Sequence, residues 1–218
     1  MDDPLPLLDR NDAGVMLARA LKGYRKKKSA VVVGLLRGGV EVGRALSDEL
    51  DLPLLPWNVR KIGHPRNAEY ALGAIAEGGG TFLDEEVMEA EGLSFTDIEP
   101  IVEEELRELS RHKRAFPPVD HSLVGGKTVL LTDDGAATGA TLFAALDDMR
   151  ATHAKRVIVA LPVCPPDTAA RLRERADDAV ILSEPVPFLA VGHWYLSFPQ
   201  LTDEDVQRLL GTEKETTK

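Results

Sequence analysis

Cysteine is nearly absent: Cys164 stands alone in 218 residues. That excludes a disulfide framework and any zinc site built on cysteines. Its place in the apolar run 157–164 marks it as a small buried hydrophobe rather than a reactive thiol. Long apolar runs are missing too, and no stretch reaches the roughly 18 residues that would cross a bilayer. Positive charge is in deficit, with 26 Lys and Arg against 36 Asp and Glu and a formal net charge of −10. Such a chain is poorly suited to neutralising the phosphates of nucleic acid or an anionic membrane. The one basic run, Arg25-Lys26-Lys27-Lys28, reads as the solvated cationic end of a first helix. The opening Met1-Asp-Asp-Pro-Leu-Pro is acidic where a secretory leader would be basic and then apolar, so the expectation is a cytoplasmic protein.

What is present is an ordinary globular balance, 44% apolar and 28% charged, expected to form one domain over 1–218. Short Val- and Leu-rich runs alternate with helical stretches, which predicts an α/β fold: a mostly parallel twisted sheet flanked by helices. Strands are expected at 30–35, 52–59, 128–133, 156–163 and 179–182, the second of them broken by two prolines. Helices are expected at 12–23, 40–50, 140–152, 166–176 and 203–210. Thr202 is a plausible N-cap for the last. Leu72, Ala76, Thr81 and Leu83 flank Gly78-Gly79-Gly80 and predict a hairpin whose glycines form a turn. In 96–113, Ile98, Ile101, Val102, Leu106 and Leu109 recur at helical spacing and predict a half-exposed helix. Only the last few residues read as a disordered tail.

The chemistry concentrates in Val129-Leu-Leu-Thr-Asp133-Asp134-Gly135-Ala136-Ala137-Thr138-Gly139-Ala-Thr141. An apolar strand ends in two carboxylates, and a loop of small residues then opens a helix. Small side chains let backbone N–H groups converge on an anion at the helix N-terminus, where the dipole also favours negative charge. Thr138 and Thr141 can add hydroxyl donors. Adjacent carboxylates suit the vicinal hydroxyls of a ribose, and a divalent ion could offset their charge. A Walker-type loop needs a lysine after its last glycine, and none follows Gly139. A dinucleotide fingerprint needs three glycines at set spacing, and two stand here at the wrong distance.

This segment resembles the PRPP-binding motif of the type I phosphoribosyltransferases. The resemblance implies that Asp133 and Asp134 hold the ribose 2- and 3-hydroxyls, while 135–139 and Thr141 cradle the 5-phosphate. Leu36-Arg37-Gly38-Gly39 is similar to the family's pyrophosphate loop, where a non-proline cis peptide, here between Leu36 and Arg37, aims N–H groups at the diphosphate. Arg60-Lys61 stands where the family supplies further cations. The stretch 59–74 resembles a subgroup of uncharacterised phosphoribosyltransferase-like proteins, which adds His64, Arg66, Asn67, Glu69 and Tyr70 as lesser candidates. Residues of about 78–118 occupy the place of a lid, here as a helical insert, and those of about 184–200 the place of a small C-terminal hood. Phe188, Val191 and Trp194 are its candidate base contacts. Altogether the resemblance covers 30–198.

The implied activity is nucleotide salvage chemistry: Mg²⁺-dependent transfer of a 5-phosphoribosyl group from PRPP to a nitrogenous base, with release of pyrophosphate. Asp133, Asp134, Arg37 and Lys61 are the expected catalytic residues. Mg²⁺ would arrive with PRPP, with Asp133 and Asp134 as its candidate protein ligands, and the family implies a homodimer. The base is left open. Ala137 stands where the hypoxanthine-guanine enzymes carry an acid, no lysine lies near Leu161-Pro-Val-Cys164 to read a 6-oxo group, and Ser197 replaces an acid common in the hood. Two alternatives stand beside transfer: a non-catalytic PRPP or nucleotide sensor of the same fold, and a hydrolase or phosphorylase of a phosphoribosyl compound.

Overall fold

A computed structural model describes residues 5–116 and 120–212, apart from the side chains of Glu69, Lys113, Arg114, Ala115 and His121. The acidic opening, the tail and the end of the expected lid at 117–118 lie outside these residues. Five strands form one parallel sheet in the order β2-β1-β6-β7-β8: β1 (Ala30–Leu35), β2 (Leu54–Trp57), β6 (Thr128–Thr132), β7 (Arg156–Val163) and β8 (Asp178–Ser183). Between β2 and β6 the chain builds a second, antiparallel sheet from β3 (Val59–His64), β4 (Asn67–Ala76) and β5 (Thr81–Leu83).

Every residue of β1 is buried, as a continuous apolar run requires when both faces of a parallel sheet are covered. Val31, Val33, Val129 and Leu131 face one layer, with Phe143 and Leu146 of α5 (Ala140–Ala151) and with Trp57 and Phe82. Val32, Leu130 and Ile158 face the other, with Leu17 of α1 (Arg10–Ala20) and Val42 and Leu46 of α2 (Gly38–Leu50). The insert adds α3 (Glu85–Ala90) and α4 (Phe95–Ala115), whose buried Met88, Ile98 and Leu109 pack on Ile62, Leu72 and Ile75 of the second sheet. After β7, α6 (Pro166–Arg175) leads to β8, and α7 (Asp203–Leu210) closes the described chain. No helix among the described residues is long and apolar enough to cross a membrane.

Three local expectations need correction. The first helix starts at Arg10, because Asp9 caps it by accepting from the Asp12 N–H at 2.8 Å, and it stops at Ala20. The basic run 25–28 therefore lies beyond the helix, in a turn where Lys26 takes a positive φ of 57° and sits 3.8 Å from Asp51. Residues 52–59 do not make one strand. Leu35 pairs with Trp57, and the chain then leaves the parallel sheet at Asn58 to start β3 in the other. Gly78-Gly79-Gly80 is the turn expected, but Asp148 of α5 holds it: the buried carboxylate accepts from the N–H groups of Gly78 (2.8 Å) and Gly80 and from Trp57 Nε1 (3.0 Å). The last helix has its predicted bounds and its Thr202 cap.

Candidate active site

The sheet order places the site. From β1 the chain runs outward to β2, whereas from β6 it runs the other way to β7 and β8, so β1 and β6 are neighbours whose following loops part. A crevice opens at their carboxyl ends, the usual ligand position in an open parallel sheet. Because Gly34 pairs with Thr132, the residues just beyond each strand meet: 36–39 on one side, 133–141 on the other.

They meet closely. A Cβ on Gly38 would lie 1.9 Å from Asp134 Oδ2, and one on Gly39 would lie 2.6 Å from the Thr132 carbonyl oxygen. The Leu36–Arg37 peptide is cis, as the family resemblance implied. Gly139, with φ 77°, needs the left-handed conformation that glycine adopts freely, and it turns the phosphate loop into α5. Two long-range bonds pin that loop: Thr168 Oγ1 donates to the Ala137 carbonyl at 2.6 Å, and the Ala136 N–H donates to the Val163 carbonyl at 3.0 Å.

Helix capping separates this crevice from the rest of the molecule. Asp9, Asp84 and Thr202 cap α1, α3 and α7 with side-chain oxygens, Ser94 and Asp97 form a capping box at α4, and Pro165-Pro166 opens α6. The two helices that start at the crevice, α2 at Arg37 and α5 at Gly139, have no such capping bond. The Ala140 N–H has only a long bond to Thr138 Oγ1 at 3.5 Å and the Val40 N–H donates to the Arg37 carbonyl at 3.2 Å, while the positive ends of both helix dipoles lie at the crevice.

The acids are electrostatically strained. Burial and the neighbouring Asp134 charge push the Asp133 carboxyl well above the usual carboxylate range, against the pull of the Asp134 N–H at 2.9 Å and of Lys61. Asp134 is also raised by burial, although Arg10 Nε donates to its Oδ2 at 2.8 Å. Glu41, 3.5 Å from Arg10, is raised chiefly by burial as well. Tyr195 Oη donates to the Asp134 carbonyl at 2.6 Å, and burial raises that phenol. Asp134 and Glu41 thus share the Arg10 guanidinium while Asp133 has only the longer-range pull of Lys61 and Arg10, a setting that a divalent cation would relieve. Asp133 and Asp134 offer the hard oxygens Mg²⁺ prefers. Among the described residues no group of three His, Cys, Asp or Glu side chains could hold an ion alone. The donors therefore fit a magnesium ion completed by substrate oxygens.

The cleft has a volume of about 1060 Å³. Of the expected residues, Leu36, Arg37, Gly38, Arg60, Lys61, Asp133, Asp134, 135–139, Thr141 and Val191 line it, as do His64, Arg66 and Asn67, while Gly39 packs beneath. Arg60 is already engaged, its Nε 2.7 Å from Glu105 of α4, and Arg37 lies 3.9 Å from Asp203. Phe188 and Trp194 do not line the cleft; they pack with Leu7, Ala13 and Val163. Tyr70 also stays outside it, and the Glu69 side chain lies outside the described residues. Sequence reasoning missed Arg10, Asn58, Glu105, Gln200 and Leu201, which do line the cleft, and Thr168 behind the phosphate loop. Phe198, noted only as part of the hood, faces the cleft with Val191. Cys164 is buried, and burial pushes its thiol up to about 12, the inert behaviour expected of it.

Two helix starts without a side-chain cap thus flank an acid pair at the switch point of an open parallel sheet. The family model described as the phosphoribosyl transferase domain matches residues 10–195, and the chain belongs to that family. Two Mycobacterium tuberculosis proteins, from strains CDC 1551 and H37Rv and provisionally named phosphoribosyl transferases, are each 38% identical over 203 residues. That alignment covers 93% of this chain and 46% of theirs, so the chain spans about half the length of the curated relatives it matches. The crystal structure of TT1426 from Thermus thermophilus is 39% identical, with a TM-score of 0.73 over 93% of this chain and 96% of that one.

Proposed function

We propose that this cleft binds PRPP with Mg²⁺ and transfers its 5-phosphoribosyl group to a ring nitrogen of a base, releasing pyrophosphate. The observation that carries the reading is the pair of uncapped helix starts on either side of Asp133 and Asp134. One cradle receives the 5-phosphate at 135–141 and the other the diphosphate at 36–39. The two acids between them accept from the ribose hydroxyls. The C1–O bond to the diphosphate breaks as the base nitrogen attacks, so negative charge grows on the leaving group. Arg37, Lys61 and the N–H groups of 36–39 stabilise that charge, and each preorganised donor of this kind is worth about 3 kcal/mol. Mg²⁺, when bound, neutralises part of the same charge. The wall formed by Val191 and Phe198 offers the base an apolar surface.

The test is mass spectrometry of products after the protein meets Mg²⁺, PRPP and a mixture of purine, pyrimidine and related bases. One new ribonucleotide, absent with the Asp133→Asn/Asp134→Asn variant, is the expected result and names the base. PRPP that is consumed without a base would point to hydrolysis instead. PRPP bound but intact would point to a sensor. PRPP left unbound overturns the reading.

A further inference from the structure

Arg10 belongs to neither loop, yet its guanidinium occupies the centre of the site. It is the first residue of α1 and is only 5% exposed. Its Nε donates to Asp134 Oδ2 at 2.8 Å, and its Nη1 donates to the Pro199 carbonyl at 2.8 Å. The same Nη1 lies 3.5 Å from Glu41 Oε2. The cation rests 3.8 Å from the centre of the Phe198 ring. On its other side, Nε stands 3.1 Å from the position a Cβ on Gly38 would take. One side chain thus hydrogen-bonds both the ribose acid and the hood, which come from distant parts of the chain.

Charge balance alone does not need that arrangement. The planar guanidinium directs one N–H at a carboxylate and another at a carbonyl, so it fixes the spacing between the two as well as attracting each. The hood is anchored on the same side by the chain just before α1. Leu7 donates to the Trp194 carbonyl at 2.9 Å, and its own carbonyl accepts from Leu196 at 2.8 Å. The segment 7–10 and the end of the hood therefore form one unit, and Arg10 is its contact with Asp134.

We propose that Arg10 is a positioning residue that orients Asp134 for the ribose hydroxyls and locks hood residues 198–199 to the same carboxylate. The assignment rests on the reading of the cleft as a PRPP site. Arg10 acts through Asp134 rather than on the substrate. Its loss therefore harms a ligand that uses the ribose acids and spares one that uses only the diphosphate cradle.

Calorimetric binding of PRPP with Mg²⁺, and separately of metal-free pyrophosphate, tests this on the full chain. Wild type, Arg10→Gln, Arg10→Lys, Asp134→Asn and the Arg10→Gln/Asp134→Asn double variant are compared. Arg10→Gln is expected to weaken PRPP by about tenfold or more, since misplacement by an ångström is that costly, and pyrophosphate by less than about twofold. Arg10→Lys restores part of the loss, because charge returns without the fork. In the Asp134→Asn background, removing Arg10 adds less than about twofold, the signature of two residues acting as one unit. Unchanged PRPP affinity in Arg10→Gln, equal losses for both ligands, or losses that multiply in the double variant would each overturn the proposal. If Arg10→Gln does not fold, Arg10→Lys decides: weaker PRPP with unchanged pyrophosphate supports it, and wild-type affinity for PRPP sinks it. A wild-type protein that does not bind PRPP overturns the site reading and this proposal together, whereas a failure confined to the Arg10 variants overturns only the latter.

Discussion

Gly38 and Gly39 are adjacent, yet replacing each with alanine should damage the protein differently. A methyl group on residue 38 would meet the Asp134 carboxylate, 1.9 Å from Oδ2 and 2.5 Å from Cγ. That is about 1.5 Å short of an ordinary contact, so the carboxylate must swing away. The backbone can stay, because the obstacle is the end of a side chain. The swing breaks the Arg10 hydrogen bond, a loss of about 1.5–3 kcal/mol for a charged pair. Alanine's better helix propensity at the start of α2 offsets up to about 1 kcal/mol. A net cost of about 1–2 kcal/mol lowers the melting temperature by roughly 2–8 °C in a chain of this size. The functional loss should be larger, about a hundredfold in PRPP affinity, since one of the two ribose acids is displaced beyond hydrogen-bonding tolerance. A methyl on residue 39 meets backbone instead, 2.6 Å from the Thr132 oxygen and 2.9 Å from the Asp133 Cα. Sheet and helix must separate, at about 3 kcal/mol or more, and the variant should lose roughly 10 °C. Differential scanning fluorimetry and PRPP calorimetry on both variants check this. A Gly38→Ala protein that binds PRPP like wild type would refute the claim that loop 36–39 and Asp134 are held in mutual contact.

Asp133 makes stability depend on pH. Its folded carboxyl is raised by burial and by Asp134, so the contribution of this one group to stability is fully present below the ordinary carboxylate range and is lost as pH rises through the raised value. In metal-free buffer, the advantage in melting temperature of Asp133→Asn over wild type should therefore grow between about pH 4 and neutrality; a constant difference contradicts the assignment. Glu105 holds Arg60 in a half-buried pair worth about 1 kcal/mol, which an incoming diphosphate must displace. Glu105→Gln should tighten pyrophosphate binding about fivefold by calorimetry, and weaker binding would mean that the pair supports the site instead. Asp148→Ala removes the buried carboxylate that accepts from the Gly78 and Gly80 N–H groups and from Trp57 Nε1, and so loosens the turn. It should cost about 3–5 kcal/mol in denaturant unfolding, and a loss under about 1 kcal/mol would show that the turn finds other partners.

Features carried by one stretch of chain were legible in the sequence. Continuous apolar runs gave the buried strands, and capping chemistry gave α7 to the residue. The acid pair with its small-residue loop located the crevice, because the strand, anion loop and helix start are consecutive. The break at Asn58 was less legible. Nothing local distinguishes a strand interrupted by proline from two strands in different sheets, and Trp57 reaches Asp148 across 91 positions. The hood was less legible for a related reason. Phe188, Trp194 and Phe198 are all aromatic, but which of them faces the cleft depends on how the segment docks, and that is fixed by Leu7 and Tyr195 rather than by the hood's own sequence.

Arg10 marks the limit of such reading. Its partners Asp134 and Pro199 lie 124 and 189 positions away, and in sequence it is simply one basic residue between Asp9 and Asn11. The motif residues can be recognised because each supplies its own backbone geometry. A residue that works by fixing the distance between two other segments carries no local pattern, since its requirements are set by their separation. If α1 were only a cover for the sheet, its first turn would tolerate any capped polar residue. If Arg10 ties the ribose acid to the hood, the Arg10→Gln and Asp134→Asn losses must fail to multiply, and that non-additivity is what a covering helix cannot produce.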